Sequence, residues 1–423
     1  MKEASNAIEI MAPAGNFECL TAAAQGGADA VYFGVGALNM RAHAAHNFTQ
    51  DDLGKVTAFC REKGMRSYLT VNTILYDQDL DAVKELLAAA KQAQVTAVIA
   101  SDMAVILEAR KLGIEVHAST QLNVSNWEAL AFFAQFTDVV VLARELTLDQ
   151  IAHIAKQVRE RGIKGPSGQL VKLELFCHGA LCMAVSGKCY MSLHEYNKSA
   201  NRGECYQICR RSYAATVEPA YLLEDQETGA QLKIENKYIM SPKDLCTVTF
   251  IDKIIEAGVE VLKIEGRARA PEYVKTTVQT YRSAVDAVQA GTFTPALAAQ
   301  WEASLKTVFN RGFWGGYYLG TRLGEWSQAY GNQATEKKTY AAQVTNYFSN
   351  LGVAELLVEA VPLHVGDKVF IIGPTTGVLE ETITQIRLEL VPVDTAPQGK
   401  RCSIPVSAKV RRSDKVYLRE VTK

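Results

Sequence analysis

The sequence predicts an α/β fold: a TIM-like (β/α)8 barrel, a Cys-rich insertion after the seventh strand, and a small C-terminal β-barrel domain. Three observations carry this. Over the first 290 residues a short apolar, β-branched run is followed again and again by a longer segment of helical period. The cysteines crowd between positions 177 and 250. Beyond about Lys337 the pattern changes to short β-runs punctuated by Pro and Gly.

Taken in order, Ile8–Ala12 leads to a helix over Asn16–Gly26, and Ala28–Phe33 to one starting near Gln50. Arg66–Val71 precedes a helix over Leu80–Gln92, Thr96–Ala100 one over Met103–Leu112, and Ile114–Ala118 one over Asn126–Gln135. Asp138–Leu142 is followed by Leu148–Arg161, and Val171–Phe176 opens into the insertion. Val259–Ile264 comes last, with a helix over Pro271–Ala290 behind it. Eight such units match a closed parallel barrel with right-handed crossovers. A doubly wound sheet is the alternative, but no G-x-G-x-x-G follows the first strand. The expected division is 1–290 for the barrel with its insertion at 177–250, 291–335 for an aromatic, Gly-rich connector, and 336–423 for the β domain.

Composition narrows the function classes. The 423 residues are 48% hydrophobic and 22% charged, which excludes a disordered chain. The net charge of −1 leaves no global basic field, so nucleic-acid contact requires a local patch. No run approaches the roughly 20 apolar residues of a membrane helix, and the N-terminus lacks a signal-peptide core, so no membrane partner and a cytoplasmic location are expected. In a reducing compartment nine cysteines, several bunched together, point to metal or redox chemistry more than to disulfides.

Chemistry in such barrels collects at the C-terminal ends of the strands. Those ends carry Asn72, Asp102, Gln121 with Asn123, Arg144-Glu145 and Glu265-Gly266-Arg267. Each taken alone reads as a helix cap or turn residue. Together, Arg41, Arg144 and Arg267 form a candidate clamp for a small carboxylate or phosphate, since a guanidinium pairs bidentately with either. In the insertion, Cys182 and Cys189 are separated by six residues, Cys189 and Cys205 by fifteen, and Cys205 and Cys209 by three, with Cys246 following in SPKDLC. Thiolates from such a loop suit zinc or an iron–sulfur cluster, and spacing alone leaves both open. Cys19, Cys60 and Cys402, isolated in apolar patterns, read as small buried hydrophobes.

The run Glu174-Leu175-Phe176-Cys177-His178-Gly179-Ala180-Leu181-Cys182, followed by Gly187-Lys188-Cys189-Tyr190-Met191-Ser192, resembles the signature of the collagenase-like peptidases of unassigned type, family thirty-two. APAGN, GADAVYFG, RELT, SPKDLC, LKIEGR and FNRGF resemble the same family, over about residues 8 to 320. Some members of that family are labelled proteases. Others are oxygen-independent hydroxylases that hold a 4Fe-4S cluster on four cysteines and act on ubiquinone precursors, ribosomal RNA, or the wobble uridine of tRNA with prephenate as co-substrate. The resemblance implies Cys182, Cys189, Cys205 and Cys246 as cluster ligands. Some tRNA-type relatives lack the Cys at the SPKDLC position, which makes Cys209 the alternative fourth ligand.

The residues themselves weigh the two activities. None of the seven histidines sits in H-E-x-x-H, and there is no G-x-S-x-G. Cys177 and His178 are neighbours on an extended segment and point to opposite faces, which disfavours a nucleophile–base pair. Quinone-type relatives resemble the barrel alone, whereas this chain adds about ninety residues of β domain. From Lys400 to Lys423 eight Lys/Arg stand against two acidic residues, and Lys188, Lys198, Arg202, Arg210 and Arg211 mark a second basic patch. The expected activity is 5-hydroxylation of a tRNA uridine. Arg144, Glu145, Glu265 and Arg267 are the expected catalytic groups, and Arg41, Asn72 and Gln121 the expected co-substrate contacts. Peptidase activity, or hydroxylation of ribosomal RNA or a quinone precursor, is the alternative.

Overall fold

The computed structural model describes residues 8–43, 47–213, 222–224, 231–233, 240–321, 324–329 and 331–422. Part of the expected insertion and Lys423 of the basic tail lie outside them.

Strands β1 (Glu9–Pro13), β2 (Ala30–Gly34), β3 (Arg66–Val71), β4 (Ala97–Ala100), β5 (Glu115–Ala118), β6 (Val139–Val141) and β7 (Lys172–Gly179) run parallel and in sequence order. After β8 (Asp244–Cys246), strand β9 (Val261–Ile264) closes the ring by pairing with both β1 and β7. The predicted eight-stranded barrel is therefore present, its strand boundaries within two or three residues of the apolar runs. Strand β8 is an addition. It pairs antiparallel with the end of β7, placing Leu245 opposite Gly179 and Cys246 opposite His178, and carries β10 (Phe313–Trp314) on its other edge.

Helices α1 (Phe17–Gly26), α2 (Leu53–Glu62), α3 (Leu80–Gln92), α4 (Met103–Lys111), α5 (Trp127–Ala134) and α6 (Leu148–Arg161) follow successive strands. Their starts are fixed locally: Asn16 caps α1 by accepting the Cys19 N–H at 2.8 Å, and Thr147 with Gln150 forms a capping box on α6. Within the insertion lies the short α7 (Met191–Tyr196); α8 (Ile251–Glu256) precedes β9, and α9 (Pro271–Gln289) follows it. The expected connector is not all irregular. It contains α10 (Pro295–Lys306), started by Thr294 as cap and Pro295 at the first helical position. The rest packs on the barrel, with the buried Tyr318 hydroxyl donating to Phe176 O at 2.8 Å. Among the described residues no helix is long and apolar enough to cross a membrane.

The period of two along the barrel strands separates two cores. Odd positions of β1 and β9 and even positions of β2 and β3 turn inward, so that Met11, Ala30, Tyr32, Tyr68, Ile99 and Val261 form an inner cluster. The opposite faces pack against the helices in the main core. The inner face also holds charge. Lys263 Nζ lies 2.8 Å from Glu174 Oε1, and His117 Nδ1 3.8 Å from Glu174 Oε2, all three residues being buried.

The C-terminal segment forms β11 (Glu336–Phe348), β12 (Val353–Val358), β13 (Lys368–Gly373), β14 (Gly377–Thr382), β15 (Ile386–Leu388), β16 (Val391–Val393), β17 (Arg401–Pro405) and β18 (Lys415–Val421). They make an antiparallel sheet in the order β14-β13-β18-β11-β12-β17-β15-β16 around an apolar cluster of its own. The end strands do not pair with each other among the described residues, so the expected small barrel is a sheet without a closing ladder. The β14 edge is covered by the (β/α)8 barrel instead. Gln25 of α1 accepts the Val378 N–H at 2.9 Å and donates to Thr376 O at 2.9 Å, and Lys275 of α9 donates to Val378 O at 3.1 Å.

Candidate functional site

At the C-terminal mouth of the barrel the strand ends build a cationic cavity of about 70 Å³. Arg41, Arg144, Lys263 and Arg267 all line it, facing the single lining carboxylate Glu265. Arg41 grips Glu265 Oε1 with Nε at 3.0 Å and Nη2 at 2.8 Å. Tyr32, on β2, donates its hydroxyl to Ile264 O at 2.8 Å and lies 3.2 Å from Glu265 Oε2. Burial pushes the Glu265 carboxyl up, but the guanidinium groups of Arg41, Arg144 and Arg267 outweigh it and hold it down at about 2. The same carboxylate raises Arg41. Burial lowers Arg267 to about 10, so it remains a cation at neutral pH.

Arg267 is fixed from below: its Nη1 donates to Asn39 Oδ1 and Thr70 Oγ1, both at 2.9 Å. Arg144 Cζ lies over the Phe176 ring, 3.8 Å from its centroid, and Nη1 donates to Ala180 O at 3.4 Å. The Nε atoms of both Arg144 and Arg267 are buried with no hydrogen-bond partner. Two guanidinium groups with unsatisfied buried donors thus line a cation-rich cavity, an arrangement that suits a small anionic ligand. Asn72 and Gln121 also line the cavity and brace its far wall, Asn72 Nδ2 donating to Gln121 Oε1 and to Ser119 Oγ, each at 3.3 Å. Glu145 does not join them. Arg144 and Glu145 are consecutive residues after β6; the first turns inward, and the second is exposed and lines neither this cavity nor its neighbour.

A second cavity of about 120 Å³ lies against the first and shares Met40, Arg41, Cys182, Gly187 and Glu265 with it. Its wall carries Cys182, Cys189, Cys205 and Cys209. Cys182 is exposed and the other three half-buried. Arg41, Arg210 and Arg269 line the same wall and oppose the negative charge of ionised thiols. Burial raises the Cys209 thiol, while the neighbouring Arg210 works against that rise. Arg210 anchors the segment by donating to Leu181 O at 2.6 Å and to Ser241 Oγ at 3.1 Å. Gly203 sets the approach of the loop: at φ +87° it avoids the strain of an L side chain, and a Cβ there would come within 2.5 Å of Asn39 O.

Cys246 is elsewhere. It is buried in the main core on β8, its thiol pushed up to about 12 by burial, and it does not line the cysteine cavity. Of the two alternatives for a fourth thiol, Cys209 is the one on the cavity wall. The donor set fits an iron–sulfur cluster in kind, four thiols around one void with cations behind them. Among the described residues no three His, Cys, Asp or Glu side chains gather closely enough for a single metal ion. Cys19, Cys60 and Cys402 are buried, as their apolar settings suggested.

Cys177 and His178 sit behind the mouth and point apart. Cys177 is fully buried, its Sγ 3.4 Å from Lys263 O. His178 is enclosed by Tyr273, Tyr281 and Phe313, and burial lowers it to about 3. Neither lines the two cavities. Gly179 ends β7 at φ +103°, where an L side chain is strained, and a Cβ there would come within 2.3 Å of Glu265 O; its absence lets β7 and the Glu265 turn meet. Lys263, Tyr32, Asn39, Thr70 and Phe176 are the site residues that strand-end reading misses. Lys263 left a trace, being a charged residue at an inward position of an otherwise apolar strand.

Comparison with known proteins agrees with this architecture. Residues 15–328 match the model of Peptidase family U32. The chain is 54% identical over 412 residues to a protein named collagenase from Porphyromonas gingivalis, covering 97% of this chain and 98% of that one. It is 33% identical over 384 residues to tRNA hydroxylation protein P1 of Bacillus subtilis, covering 89% of this chain and 86% of the other. It is 34% identical over 333 residues to a 23S ribosomal RNA 5-hydroxycytidine synthase of Escherichia coli, covering 77% of this chain and 47% of that one. With a family match across most of its length and relatives of this identity, the chain belongs to Peptidase family U32.

Proposed function

We infer that this protein is an iron–sulfur RNA-modifying enzyme that hydroxylates C5 of the wobble uridine of tRNA, with prephenate as the small carboxylate co-substrate. One observation carries the reading: a cavity walled by Cys182, Cys189, Cys205 and Cys209 abuts a cationic barrel mouth, and Arg41 and Glu265 form part of both. Replacing a C5 hydrogen by a hydroxyl is a net oxidation of the base, for which no side chain in the mouth is an electron acceptor. A 4Fe-4S cluster held by those four thiols supplies redox chemistry when bound.

The remaining work belongs to the protein's own groups. Arg144 and Arg267, both on the cavity wall, pair with the carboxylates of the co-substrate, and Arg267 is held in place for this by Asn39 and Thr70. Glu265 keeps Arg41 in place between the two cavities. Tyr32 and Phe176 form apolar walls that keep water from the reacting base. An anticodon-loop uridine is single-stranded and enters such a mouth without breaking a duplex. On the rim, Tyr190 is 74% exposed, and Tyr196 and Tyr206 stand 5.0 Å apart, offering rings to unstacked bases.

The relative at 54% identity is named collagenase, but the geometry supports peptide hydrolysis less. The one Cys–His neighbour pair is buried, split between opposite faces, and lines neither open cavity. The test is nucleoside mass spectrometry of tRNA and ribosomal RNA from cells lacking the protein, alongside a gelatin cleavage assay. Loss of 5-hydroxyuridine-type nucleosides from tRNA is the expected result. Unchanged RNA together with cluster-independent gelatin cleavage overturns the reading, and altered ribosomal RNA alone moves the substrate.

A further inference from the structure

The C-terminal domain carries a groove of about 580 Å³ that the reaction at the barrel mouth does not use. One wall is the end of β11, Thr345–Tyr347, where the pairing with β12 shifts register between Val344 and Asn346 and splays the strand. The other wall is the loop joining β17 to β18. Val410, 1% exposed, anchors this loop in the domain core, and the Ser413 N–H donates to Val344 O at 2.8 Å. That anchoring turns Lys409, Arg411 and Arg412 outward, all three exposed. The only lining carboxylate, Glu355, is already engaged by Arg401 at 2.8 Å and by the Thr345 hydroxyl at 2.5 Å. Lys409, Arg411 and Arg412 form no ion pair with a carboxylate among the described residues. The half-buried Tyr347 adds a ring to the same groove.

We propose that this groove is the docking site for the phosphate backbone of the RNA substrate, with Lys409, Arg411 and Arg412 on phosphates. The inference rests on the RNA-modifying reading above and assigns its grip to a named surface. Three unpaired cations on a fixed loop, a groove open along its length and a ring beside it match a polynucleotide strand, which repeats its charges and exposes bases between them. Contacts of these cations with phosphates carry no sequence information, so the grip is tolerant of sequence.

The test is the salt dependence of tRNA binding by the full-length protein, wild type against Lys409→Ala/Arg411→Ala/Arg412→Ala. Each lost phosphate contact flattens the slope of log K against log salt by about 0.7 to 0.9, so the triple variant should be shallower by about 2 to 3. Arg411→Lys/Arg412→Lys should keep the wild-type slope, and equal thermal melting of all variants shows that folding is intact. An unchanged slope in a folded triple variant overturns the proposal, as does a variant that keeps its tRNA slope while losing gelatin binding. The outcome is separable from that of the functional reading. A flattened slope with RNA nucleosides unchanged in cells lacking the protein would retain the groove and reject the hydroxylation. Lost nucleosides with an unchanged slope would do the reverse.

Discussion

Replacing Glu265 by Gln tests the electrostatics of the barrel mouth. In the folded protein this carboxyl, whose side chain is 12% exposed, is held at about 2 against an ordinary 4.5. That difference corresponds to about 3 kcal/mol of folding stability, at 1.36 kcal/mol for each tenfold change in proton affinity. The folded value is the depressed one, so the stabilisation is fully present above the unfolded value of 4.5 and is lost as the pH falls towards 2. Glu265→Gln removes the negative charge at every pH and leaves Arg41, Arg144 and Arg267 to repel one another. At pH 7 the variant should therefore be less stable by about 3 kcal/mol, and the gap should close steadily below about pH 4.5. Urea unfolding of the metal-free protein, followed by tryptophan fluorescence from pH 7 to pH 3, measures this. A gap of the same size at pH 3 and pH 7 would refute the reasoning, because the loss would then be one of shape and not of charge.

Cys209→Ala should abolish iron retention and the brown colour of anaerobically prepared protein. Cys246→Ala should keep both and lower stability by about 1 kcal/mol through a small core void; iron and sulfide assays with urea titration separate the two. Lys263→Met strands the fully buried Glu174 carboxylate and should cost about 3–5 kcal/mol, most of it recovered in Lys263→Met/Glu174→Leu, as a double-mutant cycle on urea midpoints would show. Arg267→Lys keeps the charge, and one ammonium can still serve Asn39 and Thr70 as Nη1 does, but it loses the planar guanidinium that pairs bidentately with a carboxylate. It should raise the KM for prephenate at least about tenfold while the melting temperature moves little; an unchanged KM assigns the clamp elsewhere.

The barrel was legible because β-branched runs and helical segments alternate with little interference, and because caps such as Asn16 and Thr147 mark the helix starts. Site residues were legible where the strand ends present them: Arg41, Asn72, Gln121, Arg144, Glu265 and Arg267 all meet around the mouth. Glu145 was not separable from Arg144 by position, since both follow the same strand and only the turn geometry decides which one enters. The choice between Cys209 and Cys246 was invisible for a similar reason. Spacing along the chain says nothing of β8, whose antiparallel pairing with the end of β7 turns Cys246 into the core. Lys263 and Glu174 went unremarked because charge within a barrel strand looks like a strand end until the partner strand is known. The helix α10, announced by Thr294-Pro295, was hidden in a stretch dominated by aromatic and glycine residues.

The seam between α1 and β14 bears on the order in which this chain is made. Helix α1 leaves the ribosome long before β14, and Gln25 and Thr21 meet their partners only at Pro374, Thr376 and Val378, some 350 residues later. Strand β1 waits for β9, whose Val261 pairs with Glu9. This βα unit thus remains unfinished on one side until β9 is made and on the other until β14 is made, a high-contact-order arrangement that folds slowly and exposes apolar surface meanwhile. A stop codon or frameshift after the barrel would leave this face of α1 uncovered, and such fragments should be cleared by proteases or held by chaperones instead of accumulating as free barrels.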